Sequence, residues 1–148
     1  MPGRAAVDIL RAAGLACEYA DEALGAVLRV PAARIADALA TLSASGYDQL
    51  VDLFATDTGE RIEVTYHVRV LARLEDLYLK CLVDYEGEAP SVWRVYPAAL
   101  YPEREAAELL GVSFPGHPNP KRLLTTEGTE PLLRKSVPIR SAEEVRYS

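Results

Sequence analysis

The residues best able to do chemistry fall in one stretch, Tyr101-Pro-Glu-Arg-Glu-Ala-Ala-Glu-Leu-Leu-Gly-Val-Ser-Phe-Pro-Gly-His-Pro-Asn-Pro-Lys-Arg-Leu-Leu124. Glu105 and Glu108 stand three apart and share a face if the stretch is helical. With Glu103 and His117 they could make a metal site or a general acid/base pair. A metal site needs a further ligand and outer support. The chain has only two histidines, and its two cysteines, Cys17 and Cys81, are 64 residues apart with no CxxC. Iron–sulfur, structural zinc and redox-dithiol chemistry are therefore not expected of this chain alone. The expected use of these side chains is ionic: Glu105 or Glu108 pairs with Arg104, Lys121 or Arg122 and pins the following segment to the helix. No catalytic, cofactor-binding or metal-binding residue is expected. A stand-alone hydrolase built on Glu105, Glu108 and His117 is the competing reading, and a general interaction module is a third.

The elements that must position these residues can be read from periodicity. In the stretch itself, Pro102 suits a first helical position and Glu103 and Glu105 complement the dipole in the first turn. Arg104 and Glu108 are four apart, and Gly111 stops the helix. Upstream, residues 4–14 predict a short helix with Val7 and Leu10 inward and Gly14 as its stop. Residues 26–30 predict a strand. Pro31 opens a helix carrying Ile35, Leu39 and Leu42, and residues 49–56 predict a second strand. The clearest strand is Arg61-Ile-Glu-Val-Thr-Tyr-His-Val-Arg-Val70. Its Ile62, Val64, Tyr66, Val68 and Val70 face a core, while Arg61, Glu63, Thr65, His67 and Arg69 face water. Leu77, Leu79, Cys81 and Val83 alternate likewise, so the two strands predict a hairpin with Cys81 as a core residue. The order α-β-α-β-β-β-α predicts an α+β fold: a two-layer sandwich with a mainly antiparallel sheet and helices on one face.

Composition sets the limits. The chain has 148 residues, 49% hydrophobic and 26% charged, enough for one soluble domain and its core. A net charge of −6 argues against a nucleic-acid partner. The beginning of the sequence has no signal-peptide run, so a cytoplasmic protein is expected, at a membrane only through a partner. Eight of the ten prolines lie between Pro90 and Pro138. From His117 to Arg140 there are five basic residues and two acidic ones, which leaves −9 on the rest. The expected division is a sandwich domain over residues 1–89, a helix and turn packed on it over 90–124, and an extended, proline-rich C-terminal arm over 125–148. The arm's aliphatic residues favour a strap that lies on partners over a solvated tail.

The long stretch resembles the signature of the 30 kDa subunit family of respiratory NADH dehydrogenase, the C subunit of the bacterial NADH-quinone oxidoreductase (complex I). The family pattern is E-R-E, two residues, an acid, two aliphatics, six residues, His or Lys, three residues, a basic residue or proline, one residue, two aliphatics. Glu103-Arg104-Glu105, Glu108, Leu109-Leu110, His117, Lys121 and Leu123-Leu124 fill it. The flanks agree: Pro90-Ser-Val92, Tyr96-Pro97, Ala99 and Tyr101 before the helix, and Pro131-Leu-Leu-Arg134-Lys135 after it. The strand Glu63-Val-Thr-Tyr-His-Val68 is similar to the family's F-x-V-x-Y-H-L strand. Ala107-Glu108 replaces the usual Tyr-Asp, and Ser136-Val137 stands where Asp-Tyr is usual.

The resemblance implies a non-catalytic scaffold subunit in the hydrophilic arm of a membrane-bound, ion-translocating NADH:quinone oxidoreductase. It implies no flavin, iron–sulfur cluster or quinone on this chain; these belong to partners, among them the large hydrogenase-like quinone-site subunit and adjacent iron–sulfur subunits. It places the chain peripherally, at the cytoplasmic face of the plasma membrane. The alternative is the equivalent subunit of a membrane-bound [NiFe]-hydrogenase or related ferredoxin-linked complex. Glu103, Arg104, Glu105, Glu108, His117, Lys121, Arg122, Arg134 and Lys135 are then the expected subunit-docking network.

Overall fold

The structure, a computed structural model, describes residues 2–118. Helix α1 (Pro2–Ala12) turns Ala6, Val7 and Leu10 inward and gives way at Gly14, whose φ of 79° is a left-handed stop. Strands β1 (Glu18–Glu22) and β2 (Gly25–Arg29) form a tight hairpin. A 3-10 turn at Ala32–Arg34 leads into α2 (Ile35–Ala44), with Ile35, Ala38, Leu39 and Leu42 buried. Strands β3 (Gln49–Asp57), β4 (Ile62–Val70) and β5 (Glu75–Val83) follow as antiparallel neighbours. A second 3-10 turn at Pro97–Ala99 leads into α3 (Leu100–Leu110).

The sheet order is β1-β2-β5-β4-β3, antiparallel except for the parallel pair β2–β5. The α+β architecture with a mainly antiparallel sheet is therefore as the sequence indicates. The register puts Leu28, Leu79, Tyr66 and Leu53 in one row across four strands. This row and its neighbours Ile62, Val64, Val68, Leu77 and Cys81 share one core with Leu10, Ile35, Leu39 and Leu42. Helices α1 and α2 pack on each other, α1 also lies over β2 and β5, and α3 packs along β3. Cys81 sits at 1% exposure, where burial pushes its thiol up to about 12. It is a small apolar core residue, as its strand position indicates.

Three local expectations change. Strand β1 is an addition to the predicted order. Helix α3 begins at Leu100, before Pro102, because the turn at Pro97–Ala99 already winds the chain and a first-turn proline removes no helical bond. The outward face of β4 is less wet than alternation implies, with Thr65 at 1% exposure and the side chain of His67 at 13%. Long side chains from neighbouring strands lie across it. Arg29 bonds Glu22 at 3.1 Å and Glu63 at 3.0 Å, and Lys80 bonds the same two carboxylates at 3.1 and 3.2 Å. Burial works to raise Glu22, but Lys80 and Arg29 outweigh it and hold the carboxyl below its usual range. His67 stacks on Tyr78 with ring centroids 4.3 Å apart, and its Nε2 lies 3.4 Å from Asp76.

Candidate docking corner around α3

Three segments meet at the start of α3: residues 89–93, the first turns of the helix, and residues 111–117. Gly111, with a φ of 78°, ends the helix and turns the chain back. The returning segment pairs with the earlier one. Ala89 N–H donates to Ser113 at 3.0 Å, Ser113 N–H to Gly87 at 3.0 Å, and Ser91 N–H to the carbonyl of Pro115 at 2.8 Å. Val92, Val112 and Phe114 are buried beneath them.

Side chains complete the corner. Glu103 is fully buried; its carboxylate accepts from the Ser91 hydroxyl and, at 2.8 Å, from the Val92 N–H. Burial raises its pKa, opposed in order by the Ser91 bond, the Val92 bond and the charge of His117. Trp93 Nε1 donates to the Gly116 carbonyl at 3.0 Å. His117 Nε2 lies 2.8 Å from the Leu100 carbonyl, which can only accept, so that nitrogen carries a proton. Tyr96 reaches out of the corner to donate to the Tyr47 carbonyl at 2.6 Å, and burial pushes its phenol up to about 12. Replacing Tyr96 by Phe should lower stability by about 1–2 kcal/mol, since a buried carbonyl loses its donor; urea unfolding at unchanged m-value checks this.

The expected site residues separate into groups. Glu103, Arg104 and His117 line one cavity of about 200 Å³, together with Ala107, Val112 and Phe114. The Arg104 guanidinium stands 6.0 Å over the Tyr101 ring. Glu105 points elsewhere: it is exposed and lines a groove of about 270 Å³ between α3 and β3, with Asp52, Phe54 and Leu109. Glu108 is buried, at 2% exposure. Lys121, Arg122, Arg134 and Lys135 lie outside the described residues. The hydrolase reading needs Glu105, Glu108 and His117 around one space, and Glu105 and His117 line different ones. Among the described residues no group of three His, Cys, Asp or Glu side chains could hold a metal ion.

Glu103 is not a surface acid tuned to the helix dipole. It is an internal clasp, a role the sequence pattern does not announce, because its partners come from a loop 11 and 12 residues earlier. Ser91 and Val92 are the residues missed as functional partners. Their position inside the Pro90-Ser-Val92 block was the available signal. The corner's shape is held by its own chain, with the Glu103 carboxylate and the His117 imidazole both bonded within it.

The chain is similar to proteins already known. The family described as "Respiratory-chain NADH dehydrogenase, 30 Kd subunit" matches residues 28–143. The C subunit of the NADH-quinone oxidoreductase of Phenylobacterium zucineum is 39% identical over 122 residues, covering 79% of this chain and 58% of that protein. Its counterpart from Moorella thermoacetica is 43% identical over 82 residues, 53% of this chain and 55% of that one. The chain thus spans little more than half the length of these relatives. A solved structure of the membrane-bound sulfane sulfur reductase, an archaeal respiratory membrane complex, contains a chain similar at TM-score 0.66 and 27% identity. That likeness covers 77% of this chain and 70% of the other.

Proposed function

The chain belongs to the respiratory-chain NADH dehydrogenase 30 kDa subunit family, and from that membership we propose that it is a non-catalytic scaffold subunit of a membrane-bound, ion-translocating NADH:quinone oxidoreductase. It sits in the hydrophilic arm and docks the large quinone-site subunit. Flavin, iron–sulfur clusters and quinone are held by partners. The observation that supports this most is the meeting of three signature residues, Glu103, Arg104 and His117, at a corner whose acid and imidazole are bonded within the chain. Residues that serve shape suit a subunit that positions others. Among the described residues no helix is long and apolar enough to cross a membrane.

A second reading has its own support. The likeness to a chain of the sulfane sulfur reductase complex favours the equivalent subunit of a hydrogenase-related, ferredoxin-linked membrane complex. Co-purification separates the two. A tagged full chain drawn from membranes in mild detergent should bring a hydrogenase-like large subunit and a flavin- and NADH-binding subunit. A nickel-bearing large subunit, or a large subunit without any NADH-binding chain, moves the assignment to the second reading. A chain that purifies alone ends both.

A further inference from the structure

Resting on the reading of this chain as a subunit, we propose that a notch at the end of β2 receives an extended, acidic segment of a partner subunit as an added strand against β5. The notch exists because β2 is short. Its pairing with β5 runs from Val27–Tyr78 to Arg29–Lys80. The Val30 N–H still donates to the Lys80 carbonyl at 3.0 Å, and then Pro31 and the turn at Ala32–Arg34 lead the chain away. Strand β5 continues to Val83. Alternate residues of a strand turn their N–H and C=O to the same side. Leu82 therefore aims its backbone groups past the end of β2, as Lys80 aims its own at Val30. This is a short strand edge inside the sheet, and such an edge pairs with an added strand.

The walls decide what the segment carries. The notch has a volume of about 670 Å³. Arg29, Arg61 and Lys80 line it against one acid, Glu18, in a chain whose net charge is −6. Arg29 and Lys80 share the carboxylates of Glu22 and Glu63. Arg61 is exposed and joins none of the ion pairs among the described residues. A carboxylate of the incoming segment pairs with Arg61 at the rim while Leu82 supplies the backbone bonds. A small anion would use the cation and leave the strand edge idle.

The chain's two cysteines, Cys17 and Cys81, both line the notch and serve as the probe. Cys17 is 8% exposed and Cys81 1%. In the folded full chain N-ethylmaleimide should label Cys17 and spare Cys81, whose labelling reports unfolding. A peptide of alternating glutamate and valine should slow labelling of Cys17 about tenfold, the protection of a site about nine-tenths occupied. A peptide of alternating lysine and valine should leave the rate unchanged. Arg61→Glu should abolish protection by the glutamate peptide with Cys81 still spared. Glu60→Gln, beside Arg61 but outside the notch, should keep it. Equal rates with and without the glutamate peptide overturn the proposal, as does protection that survives Arg61→Glu. Equal protection by inorganic phosphate alone also overturns it and assigns the notch to a small anion. In the assembly drawn from membranes Cys17 should be protected to a similar degree. If Cys17 labels freely there while partners co-purify, the notch proposal falls and the subunit reading stands. A chain that purifies alone ends that reading, and this proposal with it, even where the peptide binds.

Discussion

Glu103→Ala should destabilise the chain by about 2–4 kcal/mol, and Glu103→Gln by much less. The alanine removes the acceptor of a buried backbone N–H, that of Val92, and of the Ser91 hydroxyl. A buried donor left without a partner costs about 1–3 kcal/mol, and the vacated volume adds to that. The midpoint of thermal unfolding should fall by about 8 °C for a chain of this size. Glutamine keeps the volume, can accept from Val92 and can donate to Ser91. The two variants should also differ in pH dependence. The pKa of Glu103 is raised in the folded chain, burial being the main cause. Its protonated form is thus favoured by folding. That contribution is fully present below the unfolded value near 4.5 and is lost as pH rises through the higher folded value. Wild type should lose stability over that window and Glu103→Gln should not. Urea titrations from about pH 4 to pH 7 measure it. Parallel curves for the two proteins would mean that Glu103 does not titrate there.

Leu79→Ala should be the more damaging core substitution, at about 3–5 kcal/mol. Leu79 is fully buried and lies opposite Tyr66 on one side and Leu28 on the other. It is a residue at which the antiparallel part of the sheet meets the parallel pair. Truncation there loosens both seams at once. The expected result is one cooperative transition at lower denaturant with the slope unchanged, read by circular dichroism and tryptophan fluorescence together. Separate transitions for the two probes would show that the corner around Trp93, the sole tryptophan, melts apart from the sheet.

Much of this fold is visible in the chain because local pattern and burial agree. Strand β4 alternates over its whole length, and α2 carries its apolar residues at helical spacing between Pro31 and Gly46. Strand β1 is not visible for a physical reason. Glu18-Tyr-Ala-Asp-Glu22 has almost no apolar alternation, and it is a strand because β2 pairs with it through a two-residue turn at Ala23-Leu24, closed by Gly25, whose φ is 136°. The parallel pairing of β2 with β5 is equally hidden, since no local signal records it. In the site, the spacing from Glu103 to His117 was legible as a motif, but its internal division was not. Glu103 points into the corner, Glu105 lies on the β3 side and Glu108 is buried, and only the crossing of residues 89–93 over the helix start sets Glu103 apart.

The β2–β5 pairing also dictates an order in time. Val27 meets Tyr78, and Leu28 meets Leu79, about 50 residues further along the chain. At synthesis rates of about 5–20 residues per second, the first hairpin waits several seconds for the strand that receives it. During that interval Val27 and Leu28, fully buried at the end, have no sheet to enter, and α1 has no β5 to lie on. The loop that closes last spans the whole antiparallel meander, so closing it carries the largest entropy cost in the sheet. The newborn chain is therefore committed late, and its early half is the part that needs shelter while the rest is made.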